Sequence, residues 1–283
     1  MNENNEKIFR CGNFRLSLDR PLIMGIVNLT PDSFSGDGLA GSTEAALAHA
    51  RAQWEAGADI LDLGAESTRP GAPPVSVREE LARLLPVLEK IRAEGWNVPV
   101  SIDTMKPETM RAALAAGADF INDINGLRTP GALDAVAGSD CAICLMHMQG
   151  EPRTMQLAPN YDDVVSEVAG ALVERARAVM AAGIARSRIV LDPGFGFGKS
   201  VAHNYSLLKH LERFTSDGFP VLAGLSRKTM LGAVTGAPPE KRLIASVAAA
   251  VLAAERGAGI VRVHDVAATA EALKIWRACA EAA

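Results

Sequence analysis

Residues 55–64 read EAGADILDLG, and the same cadence returns as AAGADFINDIN at 115–125 and ERGAGIVRVHD at 255–265. Each time a run with helical spacing meets a glycine and passes at once into a short apolar stretch. A glycine just past the last helical turn suits a left-handed C-cap, and the apolar run behind it reads as a buried strand. The echo marks one helix–strand junction used repeatedly. It has no fixed period, so a solenoid is not expected.

Working outward from these junctions, strand-like runs occur at LIMGIVNL (22–29), ADILDLG (58–64), PVSIDT (99–104), DFINDIN (119–125), AICLMHM (142–148), RIVLDPG (188–194), PVLAGLS (220–226) and GIVRVHD (259–265). Amphipathic stretches such as STEAALAHARAQWEAG (42–57) and SEVAGALVERARAVMAAG (166–183) separate them. Nearly all the strand runs are continuously apolar, as parallel strands buried on both faces are. Eight strand–helix units in series predict an α/β chain folded as a closed (β/α)8 TIM barrel over about residues 21–282. A doubly wound open sheet is the alternative, and the missing dinucleotide fingerprint counts against it. The opening IFRCGNFRLSL alternates and predicts a short N-terminal β-hairpin at 8–19. A single domain spanning 1–283 is expected.

Composition narrows the function. The chain has 283 residues, 48% of them hydrophobic and only 5% aromatic, so the core is built from Ala, Val, Ile and Leu. A net charge of −4 and a pI near 5.8 give no electrostatic footprint for nucleic acid or an anionic membrane. The N-terminal MNENNEKIFR has no apolar h-region, so no secretory signal is expected. The longest apolar run, LIASVAAAVLAA (243–254), is too short to span a bilayer. Of the four cysteines, Cys141 and Cys144 form C-x-x-C inside a strand-like run. Residues three apart on a strand point to opposite faces, which predicts two buried thiols rather than a redox or zinc pair. A soluble protein of a reducing compartment, the cytoplasm, is expected.

LDPGFGFGKS (191–200) resembles a phosphate-cradling P-loop. The spacing rules it out: the required first glycine falls on Pro193, which has no N–H to give. What remains is a strand delivering Asp192 at its C-terminal end.

The last residues of the candidate strands are Asn28, Asp62, Asp103, Asn122 with Asp123, Met146 with His147, Asp192, Ser226 followed by Arg227-Lys228, and Arg262, His264 and Asp265. A barrel gathers these ends on one face, where barrel enzymes carry their chemistry. Asp62 and Asp123 read as partnered buried groups or caps; the set as a whole describes a polar pocket. Arg262, His264 and Lys228 suit an anionic phosphoester. Asp103, Asn122 and Asp192 bring acceptors, and a carboxylate can pair with an N–H beside an NH2. A planar, donor-rich heterocycle bearing a phosphate would use both sets. Two long loops, TPDSFSGDGLAGS (30–42) and AESTRPGAPPVS (65–76), read as lids, with Arg69 as an anion clamp.

MGIVNLTPDSFSGDG (24–38), ESTRPGA (66–72), SIDT (101–104), FINDI (120–124), CLMHMQGEPRTMQ (144–156), LDPGFGFGKS, HNYSLL (203–208), GLSRKTMLG (224–232) and IVRVHDV (260–266) together resemble the dihydropteroate synthase family, in that family's order. The resemblance spans about Leu22–Val266. It implies a cytoplasmic, homodimeric transferase of folate biosynthesis. That enzyme joins 4-aminobenzoate to (7,8-dihydropterin-6-yl)methyl diphosphate and is inhibited by sulfonamides. Carried over, Asp103, Asn122, Met146, Asp192, Gly224 and Lys228 would hold the pterin. Arg262 would stack on its face, and Arg262, His264, Thr68 and Arg69 would hold the diphosphate. Asn28 would ligate Mg2+, the implied cofactor. Phe34, Arg69, Pro70, Phe197 and Ser226 would line the aminobenzoate side. Asp103, Arg69, Lys228, Arg262 and His264 would carry catalysis. Ala65 and the NGL segment after Asp123 depart from the family pattern. The competing readings are a methyltetrahydrofolate-dependent corrinoid methyltransferase and a non-catalytic pterin-binding barrel; the cations at Arg69, Lys228, Arg262 and His264 favour the synthase.

Overall fold

The computed structural model describes residues 7–30, 43–67, 73–151 and 154–282. Chain order begins with the hairpin strands β1 (Ile8–Cys11) and β2 (Phe14–Ser17), paired antiparallel. There follow β3 (Leu22–Asn28), α1 (Thr43–Glu55), β4 (Ile60–Gly64), α2 (Val77–Ala93), β5 (Val100–Asp103), α3 (Pro107–Ala115), β6 (Phe120–Asp123), α4 (Ala132–Ala137) and β7 (Ala142–Met146). The second half runs α5 (Val164–Ala181), β8 (Ile189–Asp192), α6 (Val201–Lys209), β9 (Leu222–Ala223), α7 (Thr229–Thr235), α8 (Leu243–Glu255), β10 (Ile260–Val263) and α9 (Val266–Ala280). The eight strands from β3 onward form one sheet in the order β8-β7-β6-β5-β4-β3-β10-β9, every pairing parallel. One parallel bridge, Leu191 to Val221, joins β8 to the segment entering β9 and completes the ring. This is the expected (β/α)8 barrel.

The repeated junction has one geometry at all three sites. Gly57, Gly117 and Gly257 have φ of 105°, 98° and 88°. The next residue's N–H reaches back five positions: Ala58 to Gln53 O at 3.1 Å, Ala118 to Ala113 O at 2.9 Å, Ala258 to Ala253 O at 3.0 Å. These bonds satisfy carbonyls orphaned at the helix end, and the positive φ turns the chain straight into its strand.

Two cores result. Residues that point outward from the strands, such as Ile23, Leu61, Ile102, Ile121, Ile143 and Leu191, pack under the helices. Inward-pointing Leu22, Met24, Ile60, Phe120, Ala142, Cys144, Val190, Leu222 and Ile260 fill the barrel's lower half with Phe9 and Cys11 of the hairpin. Phe9 meets Phe120 edge-on, ring centroids 5.8 Å apart. The hairpin therefore plugs the end opposite the strand C-termini. Cys144 on β7 and Cys141, which precedes the strand by one residue, are buried free thiols, as expected, and lie in different cores. PVLAGLS gives only the two-residue β9, preceded by Val221 in the bridge to Leu191.

Candidate functional site

Period-two alternation carries the lower layer up into the mouth. Two residues beyond inward-pointing Ile60, Phe120, Cys144, Val190, Leu222 and Ile260 stand Asp62, Asn122, Met146, Asp192, Gly224 and Arg262. On β5 the same step leads from Ser101 to Asp103, and on β3 two steps from Met24 reach Asn28. The barrel's interior thus changes from hydrocarbon to polar within one layer.

Arg262 is the hub of that layer. Its Nε donates to Asp62 Oδ2 at 2.6 Å and its Nη2 to Asp103 Oδ2 at 2.7 Å. Asp62, fully buried, also accepts from Ser101 Oγ at 2.6 Å and Asn122 Nδ2 at 3.3 Å. Reading Asp62 as a partnered buried group was right but incomplete: it belongs to the same network as Asp103. Burial pushes the Asp103 carboxyl up to about 7; Arg262 opposes this and the like charge of Asp62 adds to it. Burial works against the Arg262 charge, yet the Asp62 and Asp103 carboxylates outweigh it and hold its pKa above the ordinary value. Asp123, by contrast, faces away from this cluster and caps the next turn, accepting from Asn125 N and Leu127 N at 2.7 Å each.

Across the mouth, Asp192 Oδ1 accepts from Gly194 N at 2.7 Å. Burial raises its pKa against the opposing charge of Lys228. Burial likewise lowers Lys228, to about 8, while Asp192 works the other way. The Lys228 ammonium donates to Phe195 O and sits 4.9 Å above the Phe197 ring. Gly224 lies beside it: an alanine Cβ there would stand 3.8 Å from Lys228 Nζ, an ordinary contact. Arg227, its neighbour, is turned away with φ of 59° and pairs with Asp265 at 2.7 Å. Ser226 lies against His264, its Oγ 3.0 Å from His264 Nδ1 and accepting from His264 N at 3.2 Å.

The GFGFGKS loop is built on its lysine. Lys199 Nζ lies within 3.2 Å of His147 Nδ1, His147 O, Gly194 O and Phe197 O. The near-P-loop thus surrounds a cation, and no local pattern marks Lys199, since half of its acceptors come from the loop after β7. No motif marks the cluster in which Lys106 pairs with Glu66 and, at 3.1 Å, with buried Glu80 either. Phe34, Thr68, Arg69 and Pro70 lie outside the described residues.

Among the described residues no group of three or more His, Cys, Asp or Glu side chains could hold a metal. The Asn28 amide nevertheless offers a hard oxygen at the mouth. A Cβ placed on Gly64 would stand 3.9 Å from Asn28 Oδ1 and 3.8 Å from Asp103 Oδ2, so glycine leaves that approach clear. One amide oxygen fits Mg2+ when phosphate oxygens and water complete its shell.

An eight-stranded barrel with carboxylates, an amide and two cations converging at its strand C-termini defines an enzyme-type site for a polar ligand. A family model described as "pterin binding enzyme" matches residues 24–264. The dihydropteroate synthase of Escherichia coli K12 is 50% identical over 272 residues, 96% of each chain. The crystal structure of Xanthomonas albilineans dihydropteroate synthase with 4-aminobenzoic acid superposes with a TM-score of 0.93 at 54% identity, covering 99% of this chain and 100% of that one. That of the Yersinia pestis enzyme with a sulfonamide drug complex gives 0.93 at 47%, covering 97% and 100%. The chain belongs to the pterin-binding enzymes and, within them, to the dihydropteroate synthase family.

Proposed function

We propose that this chain condenses (7,8-dihydropterin-6-yl)methyl diphosphate with 4-aminobenzoate, giving 7,8-dihydropteroate and diphosphate in folate synthesis. The observation that carries the reading is the division of charge in the mouth. Asp192, Asn122 and Asp103 supply acceptors for the pterin's N–H and NH2 edge, and Lys228 a donor for its ring oxygen. Met146 and Gly224 would line the pterin, and Arg262 would stack on its ring. His264, with Thr68 and Arg69 of the β4–α2 segment, takes the diphosphate. Phe34, Pro70, Phe197 and Ser226 take the aminobenzoate. Mg2+ held by Asn28 and the substrate's own phosphates would neutralise charge on the leaving group.

The chemistry then needs electrostatics rather than a nucleophile. The methylene C–O bond breaks, diphosphate takes the electron pair, and the positive charge left on carbon spreads into the pterin ring. Asp103 and electron release from the ring would offset that charge, while Arg69, Arg262 and His264 would stabilise the departing diphosphate. The aminobenzoate nitrogen is already neutral at pH 7. It forms the C–N bond and releases its proton to solvent, so no strong base is required.

A cytoplasmic homodimer fits this reading. Four free cysteines suit a reducing compartment, and no helix among the described residues is long and apolar enough to cross a membrane. Val234, Leu243, Ile244, Leu252 and Ile275 are exposed along α7, α8 and α9, an apolar face suited to a second copy. The test is diphosphate release from the dihydropterin diphosphate and Mg2+, with and without 4-aminobenzoate. Release that requires aminobenzoate and yields dihydropteroate is expected; release without it would refute the second-substrate assignment. Sulfonamides, which mimic aminobenzoate, are expected to compete with it, and a sulfonamide-insensitive rate at normal aminobenzoate affinity would refute that pocket.

A further inference from the structure

We infer that Lys199 is a positioning residue for the aminobenzoate half of the site: its buried ammonium acts as an internal cation that folds the 193–199 loop and sets the Phe197 wall. The inference rests on the reading of Phe197 just given. Four acceptors converge on one ammonium that is 3% exposed. They are Phe197 O at 2.9 Å, Gly194 O at 3.0 Å, His147 Nδ1 at 3.1 Å and His147 O at 3.2 Å. The first two belong to its own loop and the others to the loop after β7. Without the cation, three carbonyls would point at one another in a buried space, which is costly.

The backbone around it is shaped to let those carbonyls converge. Gly194, Gly196 and Gly198 have φ of 70°, 80° and 61°. An alanine Cβ at Gly194 would stand 1.9 Å from His147 O, and one at Gly198 2.3 Å from Gln149 O, so the two loops touch backbone to backbone. Tyr161 Oη seals the far side, donating to Gly198 O at 3.0 Å. Phe197 is thereby held by its carbonyl on Lys199 and overlain by Lys228 on its ring face.

Three ammonium protons serve four acceptors, so losing one weakens the whole cap. Burial lowers Lys199 to about 7, Asp192 opposing and Lys228 reinforcing the fall. The charged and titratable groups around it are Asp192 from β8, His147 from the β7 loop, Lys228 from the β9 loop, and Tyr161. Burial holds His147 neutral, lowered to about 3, and lifts Tyr161 to about 12, so neither changes charge near neutrality. The sign follows: below pH 7 the cap is charged and the wall set, and above it the cap loses a proton and aminobenzoate binding weakens.

The experiment measures KM for 4-aminobenzoate from pH 6 to 9 in the wild-type enzyme, Lys199→Met and Lys199→Arg, with calorimetric Kd for the dihydropterin diphosphate as the second readout. Expected are a wild-type KM that climbs above about pH 7, and a KM at least tenfold higher in Lys199→Met at pH 6.5. Pterin Kd should rise several-fold less than the aminobenzoate KM, because the same loop reaches the pterin groups only through Gly194 N on Asp192 and Phe195 O on Lys228, and Lys199→Arg should not rescue, since a planar guanidinium cannot meet convergent acceptors. Lys228 titrates nearby but remains in both variants, so the Lys199 contribution is the part of the pH dependence lost in Lys199→Met. An unchanged KM in folded Lys199→Met, an equal loss of both substrates, or a wild-type profile flat from pH 6 to 9 would overturn the inference. The last test needs no variant and so survives a failure to fold. If the wild-type enzyme forms no dihydropteroate at all, the proposed function has failed instead.

Discussion

Asp62→Asn removes one negative charge from beneath Arg262 while keeping the side chain's shape. The Asp62 carboxylate takes three hydrogen bonds, from Arg262 Nε and Ser101 Oγ at 2.6 Å each and Asn122 Nδ2 at 3.3 Å. An amide has one oxygen for these donors and turns its NH2 toward another. Losing one charge-assisted bond costs about 1.5–3 kcal/mol, and breaking a buried ion pair about 3–5 kcal/mol. Arg262 keeps Asp103 at 2.7 Å, so the lower end, about 3 kcal/mol, is expected. With unfolding entropy of about 2.1 cal/mol/K per residue over 283 residues, that is a Tm about 5 °C lower by calorimetry. The pH dependence gives a second reading. Between the ordinary 3.8 and about 7, folded Asp103 holds a proton that the unfolded chain has released, so stability falls as pH rises through that window. Removing the like charge of Asp62 lowers Asp103 and shortens the window from above. A loss below about 1 kcal/mol with an unmoved window would refute the view that Asp62 balances Arg262.

Three further expectations follow from the same geometry. Asp192→Asn should weaken dihydropterin diphosphate binding roughly 30- to 150-fold, the equivalent of about 2–3 kcal/mol of charge-assisted bonding; unchanged affinity by calorimetry would remove Asp192 from the site. Gly194→Ala combines a left-handed backbone, costing alanine about 1–2 kcal/mol, with overlap against His147 O. It should lower Tm by several degrees and raise KM for aminobenzoate, while Gly138→Ala, whose Cβ meets nothing within 4 Å, leaves both unchanged; equal effects would undo the close-approach explanation. Native protein should show one fast thiol, the exposed Cys279, because Cys11, Cys141 and Cys144 are buried and burial raises their pKa. A second fast thiol would contradict that burial.

The barrel was legible because its signals are local. Gly57, Gly117 and Gly257 mark helix ends, and the apolar runs behind them are too continuous for a half-exposed sheet. The polar strand ends were legible as a set, since one barrel face must collect them. Asp62 was undervalued, although it follows inward-pointing Ile60 by two residues. Its partner Arg262 lies at the other end of the chain, and no local pattern announces that pairing. Lys199 was invisible for the same reason: its charge is explained by carbonyls that only the folded β7 and β8 loops bring together. Ser226 was placed with the aminobenzoate, and the fold sets its hydroxyl against His264, a neighbour no spacing rule supplies.

The ring has one weak joint. Strands β3 and β4 share a register from Met24–Ile60 to Asn28–Gly64, whereas β9 has two residues and meets the β8 side through the lone Leu191–Val221 bridge. Opening costs least where few ladder bonds hold a strand, so amide exchange is expected to be fastest along this seam. Asp192 stands on one side of it and Lys228 on the other. A ligand that engages both Asp192 and Lys228 would therefore tie the two sides of this seam together.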